Sequence, residues 1–476
     1  MFARIWLVLS LLAAAAPVVA APWLAPGDEA LRRDVERLAA AGLIAGPVNA
    51  WPLPVAQLCA TGSGPAAPAL AAAARRVETA CTAARRDGVA VDLGLATTPA
   101  IVRGFADAPR ADSEASIALS RRIGRLHLRL GVGQRDGDLN AEPSFAALDL
   151  GGWALYGGYV EHWWGPGREA ALLLSTNAPP FPKLGIRRTT PAPIDLPLLR
   201  ALGPVGVEMF AGVLTEKRGD FDNPGLIGMR VAIAPAPGLE IGLNRALQLC
   251  GAGRPCSLRL IANGLIGLGN RDNSGTPNEP GNQLAGFDLS YRRQVGGVAA
   301  HAYVEMEAED ENNLLVEQFA RLAGIELSGA AGSAGASWTL HAEAVDTLAV
   351  KLFGGKRYPG SFYNHHIYSD GFRYRGRALG SSLDGDGRLL AVAGSLTDAD
   401  DRRVYAAWRN VDLNRSGAAT HPLTPVPLSF NQLAGGFELP AASGRFRLEA
   451  RIADGSAQAS GVVPRTQLEL SFSIAR

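Results

Sequence analysis

The sequence predicts an all-β transmembrane barrel of antiparallel strands, preceded by a small N-terminal α-helical bundle. Three observations carry that reading. Most of the chain alternates apolar and polar residues with a period of two. The connections between these segments switch between short turns and long polar loops, and only residues 28–90 repeat at helical spacing.

The chain opens with MFARIWLVLSLLAAAAPVVA, in which Arg4 precedes an apolar run from Ile5 to Ala16, then Pro17 and small residues at Val18 and Ala20. This is the pattern of a secretory signal peptide over residues 1–20, and its apolar run is too short to span a bilayer. Beyond it no run of 18 apolar residues occurs, so no transmembrane helix is available. The protein is expected to be exported, and an even set of cysteines then favours disulfides. Cys59 with Cys81, and Cys250 with Cys256, are the natural local pairs. No CxxC spacing occurs and the histidines lie elsewhere, so neither zinc nor another metal is expected. With 46 basic against 45 acidic residues, no global field points to nucleic acid.

Helical expectations fall in residues 21–92. Asp28 can cap EALRRDVERLAAAGLI, where Leu31, Val35, Leu38 and Leu43 share a face and Gly42 lies near the end. A second helix is expected from about Pro68 to Asp87, with Leu70, Val77 and Cys81 as its buried stripe. Cys59, on the segment between them, can staple the two.

Residues 93–476 read as barrel. In GLIGMRVAIA, Ile227, Met229, Val231 and Ile233 alternate with Gly228, Arg230, Ala232 and Ala234. GRFRLEARIADG and the final segment around Leu468, Leu470, Phe472 and Ile474 repeat the dyad. A soluble antiparallel sheet gives the same alternation. About a dozen or more such segments would, however, usually break a soluble sandwich into domains. Joined by short turns such as Pro237-Gly238 and Asp454-Gly455, they fit a closed outer-membrane barrel with lipid outside and charge inside.

Two motifs stand apart from the strands. The first is YVEHWWGPGREAALLLSTNAPPFPKLGIRR, which holds Trp163 and Trp164 before the Gly165-Pro166-Gly167 turn. The second is YNHHIYSDGFRYRGRALGSSLDGDG, residues 363–387. Together, in this order after a signal peptide and helical segment, they resemble the capsule assembly protein Wzi family over nearly the whole mature chain. The resemblance implies an 18-stranded outer-membrane barrel with a periplasmic helical bundle. It also implies a lectin-like, non-enzymatic role in retaining capsular or related exopolysaccharide at the cell surface.

Aromatic faces stack on sugar rings and guanidinium groups bind carboxylates, so an acidic polymer needs both. The first motif supplies Trp163, Trp164, Arg187 and Arg188; the second supplies Tyr363, His365, Tyr368, Arg373, Tyr374, Arg375 and Arg377. These are the carbohydrate-binding candidates. The competing reading is a lumen-filling network that holds the barrel wall rigid, with Trp163 alternatively an interface anchor. His365-His366 would point to opposite faces if on a strand, which disfavours metal binding. Asp384-Gly385-Asp386-Gly387 lacks the closing glutamate of a calcium loop and reads as a turn. The polar loop 270–283 fits either an exterior binding loop or plain solvated chain. No G-x-S-x-G, H-E-x-x-H or G-x-x-x-x-G-K motif occurs, and no cofactor is expected. The expected partners are an acidic or neutral surface polysaccharide, outer-membrane lipid and periplasmic contacts of the bundle. A porin for sugars or small solutes is the alternative, and an envelope-modifying enzyme a further rival.

Overall fold

A computed structural model describes residues 21–59, 70–266, 281–309, 318–332, 335–352, 354–441, 444–455 and 461–475. The expected signal peptide, Arg476 and most of the loop 270–283 lie outside the described residues. Antiparallel strands close into one barrel, in which Gly88–Ala96 pairs with Thr466–Ala475, setting Ala90 against Ala475 and Ala96 against Glu469. The barrel has 18 strands, two of them interrupted. One is Asp138–Asn140 continued by Phe145–Asp149; the other is Arg357–Tyr358 continued by Arg388–Thr397. Between the halves of the second strand the chain leaves the wall for residues 359–387 and fills the lumen.

The alternation works as the sequence predicts. On Ser113–Ile123, Ile117 and Leu119 are 53% and 54% exposed on the outer wall, while Ala118 and Ser120, which alternate with them, are buried inside. Leucines and valines such as Leu130, Val231, Leu243, Leu340 and Leu433 continue the apolar exterior. Charges turn inward and pair: Arg403 with Glu438 at 2.7 Å, and Arg451 with Glu449 and Glu469, each at 2.7 Å. No helix among the described residues is long and apolar enough to cross a membrane. The strands are the spanning elements.

One end of the barrel carries short turns, such as Pro237-Gly238, apart from the connection 189–204; the other carries the long loops. Asp454-Gly455, expected as a short turn, instead opens the longer connection 454–465 at the long-loop end. The helical head caps the short-turn end. It comprises α1 (Glu29–Ala40), α2 (Val55–Cys59) and α3 (Ala71–Ala84). Asp28 caps α1 by accepting from the Leu31 amide at 2.9 Å. Cys59–Cys81 staples α2 to α3, and Cys250–Cys256 closes the start of a long loop. The first barrel strand begins at Gly88, earlier than the expected boundary at 92/93, because Val89 and Val91 already point outward in the strand register. A fourth helix, α4 (Leu258–Ile266), lies against outward-facing Ile227, Leu247 and Leu249.

Candidate functional site

The loop 160–181 descends from the long-loop end deep into the lumen and meets the helical head. There Trp163 and Trp164 form a two-stranded antiparallel pair with Trp51 and Ala50. Both rings are fully buried. Phe105 stands edge-on between Trp51, at 5.3 Å, and Trp163, at 5.4 Å. Trp164 packs on Phe210 and His162.

The turn that follows is held from both sides. Arg32 of α1 donates to the carbonyls of Gly165, Pro166 and Gly167 at 3.3, 2.6 and 2.9 Å, and to Glu36 at 3.1 Å. From the wall, Glu305 accepts the Leu172 amide at 2.7 Å, and Glu343 accepts the amides of Arg168 and Glu169 at 2.6 and 3.0 Å. Gly165 has φ 143°, and a Cβ there would collide with the Glu305 carboxylate. Inward carboxylates thus satisfy the backbone donors of an irregular segment that no strand could pair.

Residues 359–387 press down on this plug from above. The Tyr363 hydroxyl donates to the Leu172 carbonyl and accepts the Ser381 amide at 2.8 Å. The Tyr368 hydroxyl donates to the Cys250 carbonyl at 2.8 Å, and the Tyr374 hydroxyl meets that of Thr215 at 3.0 Å. Arg373 holds Asp384 through two nitrogens, one at 2.8 Å. Asp386 accepts the Gly360 amide at 2.8 Å, so both aspartates of the expected turn brace the cap. His365 and His366 lie in a turn rather than a strand, and their rings sit side by side with centroids 4.4 Å apart. The expectation that adjacent residues diverge fails there because the strand geometry is absent. Among the described residues no cluster of three metal-ligating side chains forms. Burial, then the neighbouring His366 and Arg254, lowers the His365 imidazole to about 3; burial also pushes the Tyr368 phenol up to about 12.

These contacts correct much of the expected sugar platform. Trp163, Trp164, Tyr363, Tyr368 and Tyr374 are buried at 1% exposure or less, and His365 and Arg373 at 7%; apart from the Trp164 indole nitrogen, which makes no hydrogen bond among the described residues, their polar atoms serve the plug. A ring without an open face cannot stack on a sugar. Arg187 is buried against Glu208 at 3.1 Å, and Arg188 donates to the Val205 carbonyl at 3.2 Å. Both lie toward the short-turn end, beside Pro47 and Pro191. The expected grouping of all four first-motif residues about one ligand therefore does not form.

Arg375 and Arg377 behave differently. They border a cleft of about 350 Å³ at the long-loop end, lined also by Pro99, Ile101, Asn177 and Leu423. Four loops meet there. Arg375 has φ 49° and its side chain is 45% exposed. Arg377 donates to the Arg110 carbonyl at 2.6 Å; burial and Arg110 lower its guanidinium to about 10, still charged at neutral pH. Sequence reasoning missed Arg32, Glu305 and Glu343 as the plug's clamps, and Pro99, Ile101 and Asn177 as cleft walls. The inward register of Glu305 and Glu343 was a readable signal; the meeting of the four loops was not.

The family model of the capsule assembly protein Wzi matches residues 76–463. A Klebsiella pneumoniae protein described as an uncharacterized 55.8 kDa protein in the cps region is 29% identical over 355 residues, covering 72% of this chain and 69% of that protein. The solved structure of Escherichia coli Wzi is described as an outer-membrane protein involved in group 1 capsule assembly and a carbohydrate-binding β-barrel. It superposes with a TM-score of 0.82 at 24% identity, over 95% of this chain and 99% of that one. With the family model spanning most of its length, the chain belongs to the capsule assembly protein Wzi family.

Proposed function

We propose that the protein is a plugged outer-membrane barrel that binds and retains capsular or exopolysaccharide at the cell surface without modifying it. The long loops face outward and the helical head faces the periplasm, free to make contacts there. Outward leucines and valines meet outer-membrane lipid. The observation that carries the reading is the arginine-bordered cleft above a lumen filled by residues 160–181 and 359–387. Such a lumen favours surface binding over the porin alternative. The coverage by a family model for capsule assembly and the carbohydrate binding stated for the Escherichia coli relative support the same reading.

Arg375 and Arg377 are the residues assigned to the polymer. Their guanidinium groups hold carboxylates or sugar hydroxyls, and Pro99, Ile101 and Leu423 offer apolar contact. Affinity at each repeat is modest and grows through multivalency along the polymer. The test compares cell-bound polysaccharide in a deletion strain complemented with wild type or with Arg375→Ala/Arg377→Ala. The double variant should retain roughly tenfold less polymer, the loss of about 1.4 kcal/mol at the cleft. Unchanged retention overturns the site, while high single-channel conductance of the wild type would favour a porin. A change in the polymer's mass on incubation with the purified protein would overturn the non-enzymatic reading.

A further inference from the structure

A second cavity, of about 470 Å³, lies where the N-terminal head, the plug and the barrel-side residues 92–159 meet. Its size falls within the range of about 300–1,000 Å³ usual for small-molecule sites. Three rings border it: Trp23, Phe145 and Tyr159. Trp23 and Phe145 sit 5.1 Å apart and tilted, which makes an apolar corner.

The charges around it fall into two groups. At the outer end of the cavity, Arg135 is bracketed by Glu114 at 2.7 Å and Glu142 at 2.6 Å, and Arg110 holds Glu161 at 2.5 Å. Deeper in, Asp92, Arg129 and Asp107 make no ion pair within 4.0 Å among the described residues, although Arg129 and Asp92 lie within electrostatic reach of each other. Asp92 faces inward and is exposed to the cavity, and among the described residues its carboxylate accepts only from the Ser116 hydroxyl, at 3.1 Å. Arg129 spends its Nε on the Pro143 carbonyl at 3.1 Å, and among the described residues no hydrogen bond engages its two terminal nitrogens. The Asp107 carboxylate is exposed and makes no hydrogen bond among the described residues. Two carboxylates and one guanidinium, opposite an aromatic corner, are the donors and acceptors that a pyranose ring uses.

The cavity also adjoins the outer cleft. Glu142 lines the cavity and meets Arg375 of the cleft at 3.4 Å; Arg110 lines the cavity and accepts from Arg377 of the cleft. Two arginine contacts thus join the linings of the two spaces. Two spare carboxylates against one guanidinium disfavour a uronate in the inner space.

We infer that this cavity is an inner monosaccharide subsite, which takes a neutral terminal sugar residue of the polymer seated in the outer cleft. The inference rests on the proposed polysaccharide reading and adds to it the recognition of a chain end. Asp92 and Asp107 accept sugar hydroxyls, Arg129 donates to ring or hydroxyl oxygens, and the half-buried rings of Phe145 and Tyr159, with buried Trp23 backing Phe145, receive the C–H face.

The test is a tryptophan-fluorescence titration of the full-length protein in detergent, with D-galactose and D-galacturonate as probes. Galactose should saturate the signal, and galacturonate should bind at least tenfold more weakly. Ser116→Trp, which fills the cavity, should abolish galactose binding. Asp92→Asn, nearly isosteric, should weaken it about tenfold through loss of a charge-assisted hydrogen bond. No saturable galactose binding, tighter binding of galacturonate, or full binding by a folded Ser116→Trp protein would each overturn the subsite. Failure of the broader reading looks different: polymer would then go unretained by cells while galactose still binds. If polymer is retained and galactose does not bind, the inner subsite falls alone.

Discussion

Replacing Arg32 with methionine tests how the lumen is kept shut. The side chain is fully buried, and its guanidinium reaches three successive carbonyls, those of Gly165, Pro166 and Gly167, as well as Glu36. A hydrogen bond from a charged donor contributes about 1.5–3 kcal/mol, and removing one partner of a buried ion pair costs about 3–5 kcal/mol. The contributions are not additive, and Glu36 keeps Arg168 as a second partner. Methionine fills most of the volume, so the loss is polar rather than a cavity. Destabilisation of the plug by about 4 kcal/mol follows, which is on the order of a thousandfold in the ratio of open to closed lumen. No strand pairing passes through Arg32, so the barrel should still migrate as a folded species on unheated gels. Planar-bilayer recordings should show openings in Arg32→Met that are far rarer in the wild type. Hydrogen exchange should report lost protection at Trp164, Leu172 and Ser175, whose amides are bonded inside the plug. Wild-type conductance together with wild-type protection would refute the clamp.

Gly165→Ala forces a side chain onto φ 143° and against Glu305, so the plug should lose about 1–3 kcal/mol or more, read as a lower melting temperature. The Cys59→Ala/Cys81→Ala variant should lose about 3 kcal/mol of head stability, from a closed loop of 22 residues, seen as faster proteolysis of the head with the barrel intact. His365 titrates far below its unfolded value of about 6.5, so protonation favours the unfolded cap. Its contribution is complete above about pH 6.5 and declines as pH falls toward 3, by up to about 1.4 kcal/mol per pH unit. Protease cleavage within residues 359–387 should therefore rise between pH 7 and pH 4.5, and His365→Gln should flatten that dependence.

The wall of this barrel was legible because lipid and lumen impose opposite demands on successive residues. Ile117 and Leu119 could be placed outside, with Ala118 and Ser120 inside, from the dyad alone. The helical head was legible for a similar reason, through the Asp28 cap and the Leu31–Val35–Leu38 face. The lumen contents were not. Trp163-Trp164 and Tyr363 sit in irregular segments whose destination depends on partners more than a hundred residues away, such as Trp51, Glu305 and Leu172. A ring bound for a packed hub and a ring bound for a sugar look alike in sequence. Arg373 and Arg375, two residues apart, divide by backbone geometry: one turns in to Asp384, and the other, at φ 49°, turns out.

The contacts of the head carry a consequence for biogenesis. Glu29 pairs with Arg403, Arg76 with Asp401, Asn49 hydrogen-bonds Asp288, and Val48 and Asn49 donate to Glu240. These partners sit on the middle strands Leu239–Leu249 and Asn282–Val295, on the late strand Arg403–Leu413 and in the turn before it. A barrel closed without the head would enclose a ring of charges lacking their counterparts. The N-terminal segment therefore acts as a mandrel: it must be in place as the strands wrap, and it leaves an imprint in charge on the inner wall. The head is therefore needed while the barrel assembles, and deleting it should cost the cell the whole barrel rather than uncap an intact pore.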